Sequence, residues 1–251
     1  MLFSMIRWNA WLSLMIGACL LCAMSLHAEP DDSDYARLLN TYVADDGVRY
    51  AAWAKQVDDV SALKAFVSEL GQTDLDGLSK DAQKAFYINL YNAGMLQAVL
   101  DHYPLKSVKS IGLLPFSVFK KKWIALGDDK VSLDHIEKGI LLEEYFDARI
   151  HFAVNCASES CPPLRAEPFV GERLNTQLDE QTRLFADSGR AARVDVEKEA
   201  VAYSELFKWD ADDFGVENPS EFLNRYRETD LPMDHSVGWI PYDWSLNAAK
   251  N

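Results

Sequence analysis

Positive charge is what this chain has least of. Its 251 residues carry 25 lysines and arginines against 39 aspartates and glutamates, a formal charge of −14. So acidic a surface argues against nucleic acid as a partner, because it repels a phosphate backbone. Cysteine is also scarce, with only four residues, two of them at Cys19 and Cys22 in the apolar opening stretch. No internal repeat and no low-complexity linker interrupts the chain.

Charge is almost missing from the start. Arg7 is the only charged residue before Glu29, and the run from Trp8 to Met24 is broken only by Asn9, Ser13 and Gly17. A weakly basic start, an apolar middle and small Ala28 before Glu29-Pro30-Asp31-Asp32 predict a secretory signal peptide, 1–28, cut after Ala28. A transmembrane anchor is the competing reading, but the run is short for it. Ile16-Gly17-Ala18-Cys19 is similar to a lipid-attachment box, although the residues after Cys19 stay apolar. Cleavage removes one base and no acid. It leaves 24 basic and 39 acidic residues, a charge of −15 over 223 residues, as a periplasmic or secreted protein with no stable membrane insertion. Residues 29–251 are expected to form a single globular domain.

The pattern along that domain predicts a helix-rich α+β fold with a small mixed or antiparallel sheet. Short helices are expected at 33–43 and 56–70, with an extended piece from Val48 to Trp53 between them. The clearest helix runs from about Lys80 to Tyr103, with Ser79 as N-cap, Asp81 in the first turn and Pro104 as stop. Phe86, Leu90, Ala93, Leu96, Leu100 and Tyr103 share an arc that includes Asn89, with Asn92 at its edge. A buried amide needs partners, so Asn89 is expected to tie this helix to a neighbouring loop. Residues 106–122 hold five lysines and no acid. They are either a solvated loop balancing nearby carboxylates or a docking patch for an anionic ligand or partner. A second helix is expected over 132–145, with Glu137 inside its apolar face and Arg149 or His151 as its nearest partners. Residues 149–155 alternate and read as a strand. A helix at 170–185, a hairpin at 193–203 and a helix opened by Asn218-Pro219 follow.

The sharpest chemistry lies in HFAVNCASESCPPLR. A cysteine nucleophile needs a base or a positive field to form thiolate. His151 supplies the base for Cys156, Glu137 or an asparagine amide orients the imidazole, and amides of the 156–160 loop form an oxyanion site. On a regular strand residues five apart point to opposite faces, so the chain must turn at Cys156. Three alternatives remain open here: a structural Cys156–Cys161 disulfide, a merely structural His151, and a metal site using His151, both thiols and an unplaced fourth ligand. No metal and no cofactor is expected.

FYINLYNAG (86–94), SLDHIEKGIL (132–141), RIHFAVNCASESCPPLR (149–165), LFKWDADDF (206–214) and YDWSLN (242–247) resemble, in order, the blocks of the domain-of-unknown-function family numbered 547. The likeness covers most of 80–247 and implies a domain rather than an activity. It also implies that Cys156 carries the essential role, since serine often stands at the position of Cys161 in plant relatives. Histidine before cysteine is similar to the order in permuted papain-like hydrolases, which makes a papain-like layout one expected form of the fold. The leading expectation is an exported cysteine-dependent hydrolase or acyl transferase, acting on an amide or thioester of a peptide, a cell-wall fragment or a small thiol compound. Its catalytic residues are Cys156, His151 and Glu137. Asn89, Asn92, Arg149, Asn155, Ser158, Cys161 and Arg165 support binding. The alternative is a non-enzymatic periplasmic binding or scaffold module with a Cys156–Cys161 disulfide and the lysine segment as its contact surface.

Overall fold

The computed structural model describes residues 30–250; the expected signal segment lies outside them. The chain runs through α1 (Ser33–Tyr42), the hairpin β1 (Val43–Ala44) and β2 (Gly47–Val48), the turn α2 (Tyr50–Trp53) and α3 (Val57–Leu70). Then come α4 (Lys80–Asp101), the turn α5 (Ser117–Lys120), the hairpin β3 (Ile124–Leu126) and β4 (Asp129–Val131), and a π-helical segment His135–Leu142 that runs into α6 (Glu143–Tyr145). The rest is α7 (Ile150–Ala153), α8 (Leu174–Ala186), β5 (Ala192–Asp195), β6 (Ala200–Ser204), α9 (Leu206–Trp209), α10 (Ala211–Phe214), α11 (Pro219–Leu223) and β7 (Ser236–Ile240). This is the expected helix-rich α+β class. β5 pairs antiparallel with β6, and β6 pairs parallel with β7, which makes a small mixed sheet.

Helix α4 organises the molecule. Ser79 Oγ accepts from Ala82 N–H at 3.1 Å and starts it, as its sequence requires. The predicted apolar arc is buried from Phe86 to Leu100, while Tyr103 lies beyond the helix end and is only partly buried; Ile88, Tyr91, Met95 and Val99 are buried on other faces. α4 is therefore enclosed on most sides rather than lying on the surface with one apolar stripe. Asn218 caps α11 through Ser220 N–H at 2.9 Å, with Pro219 in the first turn.

Two extended readings give way to helical turns. Tyr50 and Trp53 are both fully buried. Three residues apart, they share a face of a helical turn, whereas a strand would point them to opposite sides. The stretch 149–155 is likewise not a strand: Ile150–Ala153 is one helical turn. It runs between two hydrophobic clusters, with Ile150, Ala153 and Val154 in the larger and Phe152 in the smaller. A segment buried on both sides shows no diagnostic period, so its apparent alternation misleads. Between 132 and 145 the helix is expected in kind, but 135–142 is π-helical. Its i→i+5 spacing turns Ile136 and Leu141 into the core together.

The C-terminal stretch is laid back across the fold. Val48 N–H donates to Asn247 O at 2.9 Å, and isolated bridges join Ser107 to Ser245 and Ser158 to Leu246. Gly47, at φ +139, allows this approach, since a Cβ there would stand 2.4 Å from Asn247 O. No helix among the described residues is long and apolar enough to cross a membrane.

Candidate active site

Two asparagines build the loop that carries Cys156. Asn92 Nδ2 donates to Ala153 O at 2.9 Å, and Asn92 Oδ1 accepts from Asn155 N–H at 2.8 Å. One side chain thus satisfies the carbonyl that ends α7 and the amide that leaves it. Asn155 continues the work: its Nδ2 donates to Pro162 O at 2.7 Å and its Oδ1 accepts from Ala157 N–H at 2.9 Å. Asn247, itself held by the Tyr50 hydroxyl at 3.0 Å, donates to the same Oδ1 at 3.2 Å. Both ends of the 156–162 loop are therefore pinned to one buried amide. Within it Ala157 adopts φ 58, a left-handed conformation that costs energy for any residue with a Cβ. The strain falls on the residue directly after Cys156.

This geometry faces the Cys156 thiol into a cavity of about 320 Å³ that His151 also lines. The chain turn that a strand would not have supplied comes from α7 and the loop together. Both cysteines are free; Cys161 is buried and Cys156 half-buried. Cys156 N–H donates to Cys161 Sγ at 2.9 Å, while Ser158 Oγ lies 2.9 Å and the Tyr242 hydroxyl 3.3 Å from Cys156 Sγ. Burial alone would push the Cys156 thiol up. Hydrogen bonds from Cys161, Ser158 and Tyr242 outweigh it, and the net shift is downward. Burial and the neighbouring Cys156 sulfur hold the Cys161 thiol well above its usual range, and burial with the same two sulfurs does so for the Tyr242 phenol. The result is one sulfur favoured as thiolate, surrounded by groups that keep their protons and can donate to it.

The loop amides have less to give than the sequence promised. Those of Cys156, Ala157, Glu159, Ser160 and Cys161 bond to Cys161 Sγ, Asn155 Oδ1, Ser245 O, Asp243 O and Ser158 O. The Ser158 amide bonds the Cys156 sulfur, so an oxyanion arising here would meet that amide and the Ser158 and Tyr242 hydroxyls, which lie 3.2 Å from each other.

His151 is almost completely buried, and its partners are carboxylates from α10 and the residue before it. Nε2 lies 2.8 Å from Asp213 Oδ2 and Nδ1 3.9 Å from Asp210 Oδ2. Glu137, on the π-helical segment, lines the same cavity. Burial raises its pKa, opposed first by the charge of His151, and the Tyr91 hydroxyl is its hydrogen-bond partner. Of the two expected partners of Glu137, His151 is thus a neighbour and Arg149 is not. The role of orienting the imidazole falls to Asp213. Among the described residues, His151, Asp210 and Asp213 also form a group whose ligand atoms lie within 4.8 Å of one another and could hold a metal ion. It differs from the histidine-and-two-thiols set considered from sequence.

The remaining candidates lie elsewhere. Asn89 donates to Phe169 O at 2.7 Å and accepts from Phe169 N–H at 2.9 Å, tying α4 to a loop as expected. Arg149 turns away to Asp147, Asn175 and Asp179. Arg165 pairs with Glu167 and Glu180. The structure brings Cys156, Ser158, Cys161, His151 and Glu137 together. It gives Asn92 and Asn155 scaffold positions, and leaves Asn89, Arg149 and Arg165 outside. Tyr242, Asp213, Asp210 and Tyr91 were missed, although the blocks YDWSLN, LFKWDADDF and FYINLYNAG contain them.

Fold and site together define a helix-rich α+β domain with a hydrogen-bonded thiol facing a cavity. Residues 75–186 match the model of the family described as Protein of unknown function, DUF547, so the resemblance to that family holds over this stretch. It takes in α4, the π-helical segment, the Cys156 loop and α8, and stops short of Asp210, Asp213 and Tyr242. No curated protein and no solved structure matches the chain. The papain-like layout rests on the order of His151 and Cys156 alone.

Proposed function

We propose that this protein is an exported cysteine-dependent hydrolase or acyl transferase, acting on an amide or thioester of a peptide, a cell-wall fragment or a small thiol compound. One observation carries the reading: the Cys156 thiol, its pKa lowered by hydroxyl and thiol donors, faces a cavity that also holds a histidine paired with Asp213. In the reaction the Cys156 thiolate attacks the carbonyl carbon, and the Ser158 and Tyr242 hydroxyls donate to the oxygen that gains charge. The C–N or C–S bond breaks, and the departing amine or thiol takes a proton from His151. Water, or an acceptor amine or thiol, then attacks the thioester. It gives its proton back to His151 and releases Cys156 as thiolate. Asp213 holds the imidazole, and burial beside Tyr91 raises the Glu137 carboxyl above its ordinary range.

A thioester substrate analogue tests this directly. Intact-mass analysis is expected to show one acyl group on Cys156 in the wild-type protein and in Cys161→Ser, and none in Cys156→Ala. Export is tested separately, by an intact mass that begins at Glu29. The second reading is a binding or scaffold module whose two cysteines close into a disulfide. The free thiols and the cavity favour the enzyme.

A further inference from the structure

The lysine-rich segment 106–122 carries an apolar tip. Leu113 is 101% exposed and Leu114 72%, two of the most exposed large apolar side chains among the described residues. Neither is there for want of structure. Ser117 Oγ donates to Leu114 O at 2.6 Å, and Leu114 N–H donates to Ser117 Oγ at 3.1 Å. Gly112 sits at φ +96, where a Cβ would stand 2.6 Å from Ser117 Cβ, and Phe116 is held at φ 65. Buried Ile111, Val118 and Phe119 anchor both ends of the turn. The fold thus accepts a left-handed phenylalanine in a turn that points two leucines at water, where each forgoes about 2 kcal/mol of burial.

The lysines around this tip are not balancing carboxylates. The lysine ion pairs among the described residues are those of Lys64, Lys84, Lys198 and Lys208. Lys106, Lys120, Lys121 and Lys122 are exposed, and Lys109 lies over the rings of Phe116 and Trp244 at 5.1 and 5.2 Å. Cations that make no ion pair among the described residues share this segment with an exposed apolar tip on a strongly acidic protein. A free anion would use the lysines and leave the leucines unexplained. A protein partner of ordinary affinity would need roughly 800 Å² per side, far more apolar area than Leu113, Leu114 and exposed Pro115 offer. An anionic bilayer needs only a few apolar anchors with basic residues beside them, each lysine near the surface adding about 1 kcal/mol.

We propose that residues 106–122 are a docking edge that seats this protein on an anionic phospholipid surface, with Leu113 and Leu114 entering the headgroup boundary and Lys120, Lys121 and Lys122 meeting the phosphates. The same edge walls the cavity, since Phe116, Phe119 and Lys120 line it. Docking therefore brings the cavity mouth beside the lipid.

Vesicle co-sedimentation tests it, comparing phosphatidylcholine vesicles with and without phosphatidylglycerol. The wild-type protein is expected to prefer the anionic vesicles and to lose that preference as salt rises. Lys120→Gln/Lys121→Gln/Lys122→Gln should weaken binding on the order of a hundredfold, and Leu113→Ser/Leu114→Ser on the order of tenfold. Residues 1–28, where retained, contribute equally to all variants, so the difference between variants is what counts. Equal binding by wild type and variants, equal binding to both vesicle types, or no binding to either overturns the proposal. Alkylation of Cys156 is unaffected in Leu113→Ser/Leu114→Ser, whose residues do not line the cavity, so failure here is separable from failure of the catalytic reading.

Discussion

The Tyr242 hydroxyl lies 3.3 Å from Cys156 Sγ, joining residues 86 positions apart. Ser158 Oγ completes the contact at 2.9 Å from the same sulfur. A hydrogen bond to a charged partner contributes about 1.5–3 kcal/mol, and 1.36 kcal/mol is one unit of pKa. Tyr242→Phe and Ser158→Ala should each raise the Cys156 pKa by roughly one unit and slow alkylation below neutrality on the order of tenfold. The pH–rate profile of iodoacetamide labelling reads this. Unchanged profiles would show that the hydroxyls do not stabilise thiolate.

Glu137 should reveal itself in the pH dependence of stability. Burial places its folded pKa above the ordinary carboxylate range. A carboxyl raised in this way holds its proton more tightly in the folded state. It favours the fold below its unfolded pKa, and that advantage is lost as pH rises through the folded value. From sequence, a paired Glu137 would make Glu137→Gln costly. From the structure, Glu137→Gln should be neutral or stabilising at neutral pH, with a flatter pH–stability curve above the carboxylate range. Urea melts across that range test the sign.

Arg149 belongs to stability rather than chemistry. It bonds Asp147 and Asp179, and nearby Lys84 also pairs with Asp147 at 3.1 Å. Those cations, with Arg149 first, outweigh burial and hold the Asp147 carboxyl below its usual range. Arg149→Leu should cost about 3 kcal/mol in a denaturant melt. It should leave the alkylation rate of folded protein unchanged.

Asn155 pins both ends of the reactive loop, so its loss should act on both properties. Asn155→Ala leaves Ala157 N–H and Pro162 O without their partner and should cost about 2–4 kcal/mol. Released from its turn, Cys156 should label with a pKa closer to that of free cysteine. A stability loss with unaltered labelling would mean that the loop keeps its shape without this amide.

What the sequence showed and hid follows from how local each signal is. Capping by Ser79, the Asn218-Pro219 start, the 193–203 hairpin and the tie made by Asn89 are written within a few residues, and they stand. Residues 149–155 misread as a strand because Phe152 faces one cluster and Ile150 the other, a burial that no single-sided pattern encodes. The partners of His151 and Cys156 come from α10 and the C-terminal stretch, 62 and 86 residues away, and no spacing rule reaches that far. Arg149 and Arg165 looked functional because they flank the motif, but each had closer acids to satisfy.

The central claim is that its own loop lowers the Cys156 pKa and so favours the thiolate. The direct measurement is the rate of iodoacetamide labelling of unreduced protein at about pH 6, below the usual thiol range. Cys156 should label much faster than free cysteine. Cys161→Ser should keep most of that rate, because a hydroxyl still serves as donor. His151→Ala, expected from sequence to slow labelling, should change it by less than about threefold, since His151 is not among the principal influences on the thiol. The same variant should abolish turnover of a thioester. Labelling no faster than free cysteine, or only after a reductant is added, would contradict the account.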